Sequence, residues 1–155
     1  MKLKVVQPWY ADGLSFTCTQ CGNCCTGPAG FVEISPVEIG RLAEFLKLSQ
    51  DDVMARYCRP LGSKVSLKEK RGRGGWDCIF LEERDGKRIC TVYPVRPLQC
   101  RTWPFWDGVL SSKLAWDAAA KNCPGMNSGS RAFSREQVEA LRDAKDWPEK
   151  APGSS

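Results

Sequence analysis

Four cysteines are packed into Cys18-Thr-Gln-Cys21-Gly-Asn-Cys24-Cys25, in a chain of 155 residues that has nine cysteines and no histidine. Two cysteines separated by two residues can turn both sulfurs onto one metal or cluster, and a third at the same interval adds another arm. Without imidazole, thiolates must carry any ligation. Cys78, Cys90, Cys100 and Cys123 follow far downstream, so a shared site requires the fold to gather distant segments. Adjacent Cys24 and Cys25 point apart in extended backbone, and using both calls for two sites or one polynuclear site. Disulfides are the competing use of cysteine, and two features oppose them. The count is odd, and the start Met1-Lys-Leu-Lys-Val-Val-Gln-Pro-Trp9 lacks the apolar stretch of an export signal. The expected setting is the reducing cytoplasm, where thiols stay available for metal. No membrane is expected either, because no run approaches the roughly 18 apolar residues of a span.

Two readings of the metal stay open. Cys-x-x-Cys-x-x-Cys with a remote Cys-Pro is close to iron–sulfur ligation, 4Fe-4S clusters included, although ferredoxins place the fourth cysteine three residues on. Four-thiolate zinc sites usually show two separated Cys-x-x-Cys pairs, and this chain has one such region. The first expectation is therefore an iron–sulfur cluster, with zinc or mononuclear iron as the alternative. Charge bears on the partner. Formal net charge is +5 with thiols neutral, but four thiolates on a divalent ion carry about −2, and two such sites would bring the chain to about +1. Lys87, Arg88, Arg96 and Arg101 all flank cysteines. The basic excess then reads as compensation for the site, which weakens the case for a nucleic-acid partner. A metal ion or cluster, together with a protein that receives or supplies it, is the partner expected instead.

The stretch Tyr93-Pro-Val-Arg96-Pro-Leu-Gln-Cys100-Arg101-Thr-Trp103-Pro104-Phe105-Trp106 carries the next chemistry. Its three prolines exclude a continuous helix and predict a rigid loop. Arg96 and Arg101 are expected at the cofactor, donating hydrogen bonds to sulfur or offsetting thiolate charge. Bidentate capture of an anionic substrate is the other use of the same groups. Trp76, Trp103, Trp106 and Trp116 read as core and as shielding of the site rather than as a stacking platform for bases. General-base work, with no histidine, would fall to carboxylates such as Glu33, Asp77 or Asp107.

The elements that must position these groups are partly legible. Ser35-Pro36-Val37-Glu38 is a capping box with proline at the first helical position, stapled by Ile34 and Ile39 and continued by Leu42, Ala43 and Leu46 on one face. Ser49-Gln-Asp-Asp52 starts a shorter helix with Leu48 and Val53 as staple and Met54 and Tyr57 inward; Cys58 falls in its helical sequence as a buried core thiol. Ser134-Arg-Glu-Gln137 repeats the box with Phe133 and Val138, and Val138, Leu141 and Ala144 form a thin stripe that packs on the outside. Trp76 to Leu81 and Arg88 to Tyr93 read as strands around a tight Asp85-Gly86 turn, which places Leu81 opposite Cys90 and Cys78 on the other face. Lys64 to Lys68 alternates as a third strand, and Lys70-Arg-Gly-Arg-Gly-Gly75 reads as a flexible basic loop. The fold class expected is α+β: a small single domain of short helices, a hairpin and much loop, organised around a cysteine-ligated metal.

Taken together, Cys18-x-x-Cys21-Gly-x-Cys24-Cys25-x-Gly27, Cys78-Ile-Phe-Leu81, Cys90-x-x-Tyr93-x-x-Arg96-Pro97-x-x-Cys100-Arg101-x-x-Pro104-Phe105 and Cys123-Pro124-Gly125 resemble the YkgJ-type cysteine-cluster family, a zinc- or iron-chelating domain. The resemblance implies eight metal ligands: Cys18, Cys21, Cys24, Cys25, Cys78, Cys90, Cys100 and Cys123. Cys58 lies outside the pattern. The resemblance covers 14–129, read as the metal-binding domain, with 1–13 as a lead-in, 130–148 as a C-terminal helix packed on it and 149–155 as a tail. The function implied is metal binding in metal handling, electron transfer or assembly. A similar cysteine domain occurs in the flagellin lysine N-methylase family, so the alternative is a metal-dependent enzyme or accessory subunit of that kind. No Gly-x-Gly-x-x-Gly after a strand, and no Cys-x-x-x-Cys-x-x-Cys, supports it.

Overall fold

The computed structural model describes residues 6–129 and 131–147. The expected tail at 149–155 lies outside them, as do residues 1–5 of the lead-in and positions 130 and 148. In chain order the elements are β1 (Leu14–Ser15), β2 (Thr26–Gly27), α1 (Pro36–Leu46), α2 (Gln50–Tyr57), β3 (Cys58–Leu61), β4 (Lys64–Leu67), β5 (Glu69–Gly72) and β6 (Gly75–Cys78). Then come β7 (Leu81–Arg84), β8 (Lys87–Cys90), α3 (Leu98–Thr102), α4 (Asp107–Leu110), α5 (Lys113–Ala120), β9 (Ala132–Phe133) and α6 (Arg135–Arg142). This is the α+β class expected. Internal contacts divide the described residues into two units: those up to Thr19 together with those from Thr102 onward, and Gln20–Arg101.

Within Gln20–Arg101, α1 begins where its capping box is written. Ser35 Oγ accepts from Glu38 N, and Glu38 returns the bond to the Ser35 amide. Ile34 and Ile39 are both buried beside Leu42 and Ala43, so the staple holds the entry of the helix against the core. Ser49 caps α2 with its side chain alone, its Oγ accepting from Asp52 N. Val53 is fully buried and Tyr57 packs on the same cluster, whereas Met54 is 38% exposed, contrary to expectation. The inward stripe of this short helix is the pair four residues apart, and Met54 sits about 100° away from Val53. Cys58 is not helical. Its backbone is extended, because a residue followed by Arg59-Pro60 has no helix to continue. It opens β3, which pairs antiparallel with β4 in the register Cys58 to Leu67.

The remaining strands of this unit correct two expectations. Lys70 to Gly75 is not a loop. It forms most of the β5–β6 hairpin, with Arg71 opposite Trp76 and its guanidinium 4.8 Å from the ring centre, so a cation–π contact holds basic sequence in a strand. β2 adds to the other edge of β6. Trp76 to Leu81 is not one strand either. β6 stops at Cys78, Phe80 turns into the core at 4% exposure, and β7 then pairs with β8 alone. That hairpin has the anticipated register, Leu81 opposite Cys90, with Asp85 and Gly86 both at positive φ as a type I′ turn requires.

In the other unit, β1 pairs with β9, Leu14 opposite Phe133, and the core is aromatic. Phe105 stacks on Trp116 at 6.0 Å between centroids and meets Phe133 edge-on at 5.1 Å. Each such ring, fully buried, contributes roughly 1.5–3 kcal/mol. The indole nitrogens at the margin are satisfied, Trp9 Nε1 by Leu110 O at 2.7 Å and Trp116 Nε1 by Asn127 Oδ1 at 3.0 Å. α6 is capped by the Ser134–Gln137 box and buries Val138 and Leu141 in this cluster; Ala144 lies beyond its end.

Candidate metal centre

The segment Cys21 to Cys25 is shaped by Gly22, which sits at φ 78°. A Cβ there would lie 3.0 Å from Arg88 Cβ and 3.2 Å from Leu81 Cδ1, so only glycine lets the turn lie against the β7–β8 hairpin. Past it, the Asn23 amide donates to Cys21 Sγ at 3.4 Å, and Asn23–Cys25 forms one turn of 3-10 helix closed by Cys25 N to Gly22 O. Arg88 Nη2 donates to Asn23 Oδ1 and ties the turn down. In this helical turn Cys24 and Cys25 do not diverge as they would in extended chain. Their sulfurs are 3.9 Å apart, close to the roughly 3.7 Å edge of a tetrahedron with zinc–sulfur bonds near 2.3 Å.

Three more thiols join this pair from three other elements. Cys78 ends β6 and its sulfur accepts the Phe80 amide, Cys90 ends β8, and Cys100 rides on α3. The stretch Tyr93 to Trp106 is thus not all loop: α3 forms between its prolines and carries both Cys100 and Arg101. Each thiol is close enough to feel the charge of others. The bond from Cys25, helped by Arg96 and Arg88, lowers Cys24 to about 7 against its burial. Cys25 is pushed up by that same bond, then by burial and by the charges of Cys24, Cys100 and Cys78. Burial, with Cys90 and Cys24 adding to it, raises Cys78 to about 11. Cys100 is held well above the usual thiol range by burial and then by Cys78, Cys24 and Cys90, with Arg96 opposing. The register argument that would have separated Cys78 from Cys90 fails because the strand it assumed breaks between them.

These five thiols fit a soft or borderline cation in kind. Each thiolate disfavours the next, and a bound cation would offset that mutual repulsion. Among the described residues, no three His, Cys, Asp or Glu side chains stand at the spacing that grips an ion. The donors are gathered and not closed.

Arg96 and Arg101 are buried, at 7% and 9% exposure. Arg96 donates to Tyr93 O at 2.9 Å and lies 4.0 Å over the Tyr93 ring, while its charge lowers Cys24 and Cys100. Arg101 donates to Arg96 O at 2.9 Å and to Pro94 O at 2.5 Å. Burial, then Arg96 and Arg41, pull its own pKa down. Both arginines therefore brace the carbonyls of the segment that presents Cys100. Two further residues escaped the sequence reading. Glu38 caps α1 with one oxygen and accepts the Leu98 amide at 2.6 Å with the other. The Gln99 side chain accepts from Glu33 N at 3.0 Å and donates to Phe31 O at 3.1 Å. The capping box flagged Glu38, but nothing in local spacing could reveal a partner sixty residues away.

Cys18 and Cys123 belong to the other unit, on adjoining backbone. Thr17 N donates to Gly125 O at 3.0 Å and Asn127 N to Ser15 O at 2.9 Å. A Cβ on Gly125 would lie 2.1 Å from Thr17 O, which accounts for glycine after Cys123-Pro124. Both cysteines pack, partly buried, against the aromatic cluster. In the same unit Trp103 Nε1 is buried without an acceptor, a donor suited to a sulfur. Cys58 is 6% exposed in the Gln20–Arg101 core, and burial raises its pKa. Of the carboxylates, Glu33 pairs with Lys64 at 3.2 Å, Asp77 accepts the Thr26 hydroxyl at 2.5 Å, and Asp107 lies 3.7 Å from Arg142.

A family model described as "CxxCxxCC: Putative zinc- or iron-chelating domain" matches residues 17–124. An uncharacterized protein of Methanocaldococcus jannaschii is 35% identical over 106 residues, covering 68% of this chain and 53% of that protein. The chain thus spans about half the length of this curated relative. No solved structure matches it significantly. Among the described residues no helix is long and apolar enough to cross a membrane. With the match running from the first cysteine cluster to Cys123-Pro124, the chain belongs to the CxxCxxCC family of zinc- or iron-chelating domains.

Proposed function

We propose that this chain carries its metal in the Gln20–Arg101 unit, with Cys25, Cys78, Cys90 and Cys100 as the resident thiolates. The observation that supports it is the gathering of these half-buried thiols from a turn, two strand ends and a helix into mutual electrostatic reach. Ordinary folding has no reason to crowd such groups, which repel when ionised. Arg96 and Arg101 place Cys100 and offset thiolate charge, and the family pattern also names Cys21 in this unit and Cys18 and Cys123 in the other. An iron–sulfur cluster is the first reading, because four thiolates from scattered segments are what such clusters take. A single zinc or iron ion is the second, since a tetrahedral site of that kind is also completed by four thiolates. Either serves metal handling, electron transfer or assembly through a protein partner in the cytoplasm. Anaerobic purification tests it. A broad visible band with stoichiometric acid-labile sulfide supports the cluster, and a colourless protein with one equivalent of zinc supports the ion. Metal content that is unchanged in Cys100→Ser would overturn the assignment.

A further inference from the structure

Cys24 differs from the four resident thiols in one respect: it is exposed, whereas Cys25, Cys78, Cys90 and Cys100 are half-buried. It nevertheless contacts Cys25 at 3.9 Å and lies within electrostatic reach of Cys78 and Cys100. A tetrahedral ion takes four thiolates, and so do 2Fe-2S and 4Fe-4S clusters. Five are gathered here. We propose that Cys24 is the exchange thiolate of this site, the group through which the metal passes to or from a thiolate of an acceptor. This rests on the metal-binding reading above and adds to it a direction of traffic and a partner chemistry.

Thiophilic metals move between proteins by associative exchange. An incoming thiolate donates a lone pair to the metal while a bound thiolate leaves, so coordination number and total charge are conserved and nothing is oxidised. Such a step needs one thiolate that solvent and partner can reach, beside others that hold the metal during the swap. Cys24 meets the first condition and its neighbours the second.

The test loads the full chain with one metal, as zinc or as reconstituted cluster, and follows transfer to two acceptors: glutathione, and an apo-peptide with a four-cysteine site. The expected result is that Cys24→Ser retains one equivalent, with affinity within about threefold of wild type, yet transfers to both acceptors at least tenfold more slowly. Faster transfer to the peptide than to equal thiol as glutathione identifies a protein cysteine as the natural acceptor, and the reverse identifies a small thiol. Wild-type transfer rates in Cys24→Ser overturn the proposal. So does loss of metal from that variant while circular dichroism shows it folded, since Cys24 would then be a resident ligand. More than one metal ion or cluster on these five thiols also overturns it. If wild type holds no metal, or Cys100→Ser holds as much as wild type, the underlying metal-binding reading fails instead, and the exchange role goes with it.

Discussion

At the scale of single residues, the structure separates cysteines that composition cannot. Cys58 and Cys78 are both thiols at the end of a regular element, but Cys58 sits among Ile39, Leu42 and Val53 and Cys78 among other cysteines. Cys58→Ala should keep full metal content and lose about 1–2 kcal/mol of stability from the small cavity left behind. Cys78→Ser should lose metal, with elemental analysis of the purified variants as the readout. Arg101 gives a prediction of a different kind. Its guanidinium holds the Arg96 and Pro94 carbonyls, and hydrogen bonds from a charged donor contribute about 1.5–3 kcal/mol. Arg101→Gln should lower stability by about 2–3 kcal/mol in denaturant melts and weaken metal binding by displacing Cys100. A variant that loses stability and binds metal normally would show that the loop holds Cys100 without this brace.

At the scale of elements, what was legible was local. Three helix starts were read correctly from Ser35, Ser49 and Ser134, because a cap needs only residues three apart. The register of Leu81 against Cys90 followed from Asp85-Gly86 for the same reason. What failed depended on partners elsewhere. Trp76 to Leu81 has strand composition throughout, yet Phe80 leaves the sheet to fill a pocket made by α1 and α2 residues, Tyr57 among them at 4.7 Å. Lys70 to Gly75 looks like loop until Trp76 supplies a face for Arg71. The two glycines that shape the cysteine segments make sharper tests. Gly22→Ala meets both a positive φ and Arg88, and should destabilise by about 2 kcal/mol while lowering metal affinity. Gly125→Ala would drive a methyl into Thr17 O and should cost about 3 kcal/mol or more in thermal unfolding. Wild-type melting of Gly125→Ala would mean that Cys18 and Cys123 are not carried on paired backbone.

At the scale of the whole molecule, the candidate ligands were legible as a list and not as a site. The family resemblance named eight cysteines, but it could not tell that six of them lie in the Gln20–Arg101 unit with Cys24 exposed, since exposure is set by packing from segments far apart in sequence. Metal should act on stability as any ligand of the folded state does. With free metal at 100 times its dissociation constant, the gain is about 2.7 kcal/mol, or roughly 5–10 °C in melting temperature for a chain of this size. Chelation should reverse it. Hydrogen exchange should show the protection concentrated at Thr91 and Cys100, whose amides are bonded close to the gathered thiols. Uniform protection, or none, would count against a centre in that unit.

The two oxygens of Glu38 have a consequence for the order of assembly. One closes the cap of α1, an interaction among neighbours that can form within the first events of folding. The other then stands ready for the Leu98 amide, so the helix bearing Cys100 docks on a post already set. The ligand is in position before any metal arrives, and binding need not bear the full entropy of recruiting it from a mobile chain. Glu38→Gln offers one acceptor where the carboxylate has two. In that variant the metal itself must organise Cys100, and loading should become slower even where the final affinity is nearly kept.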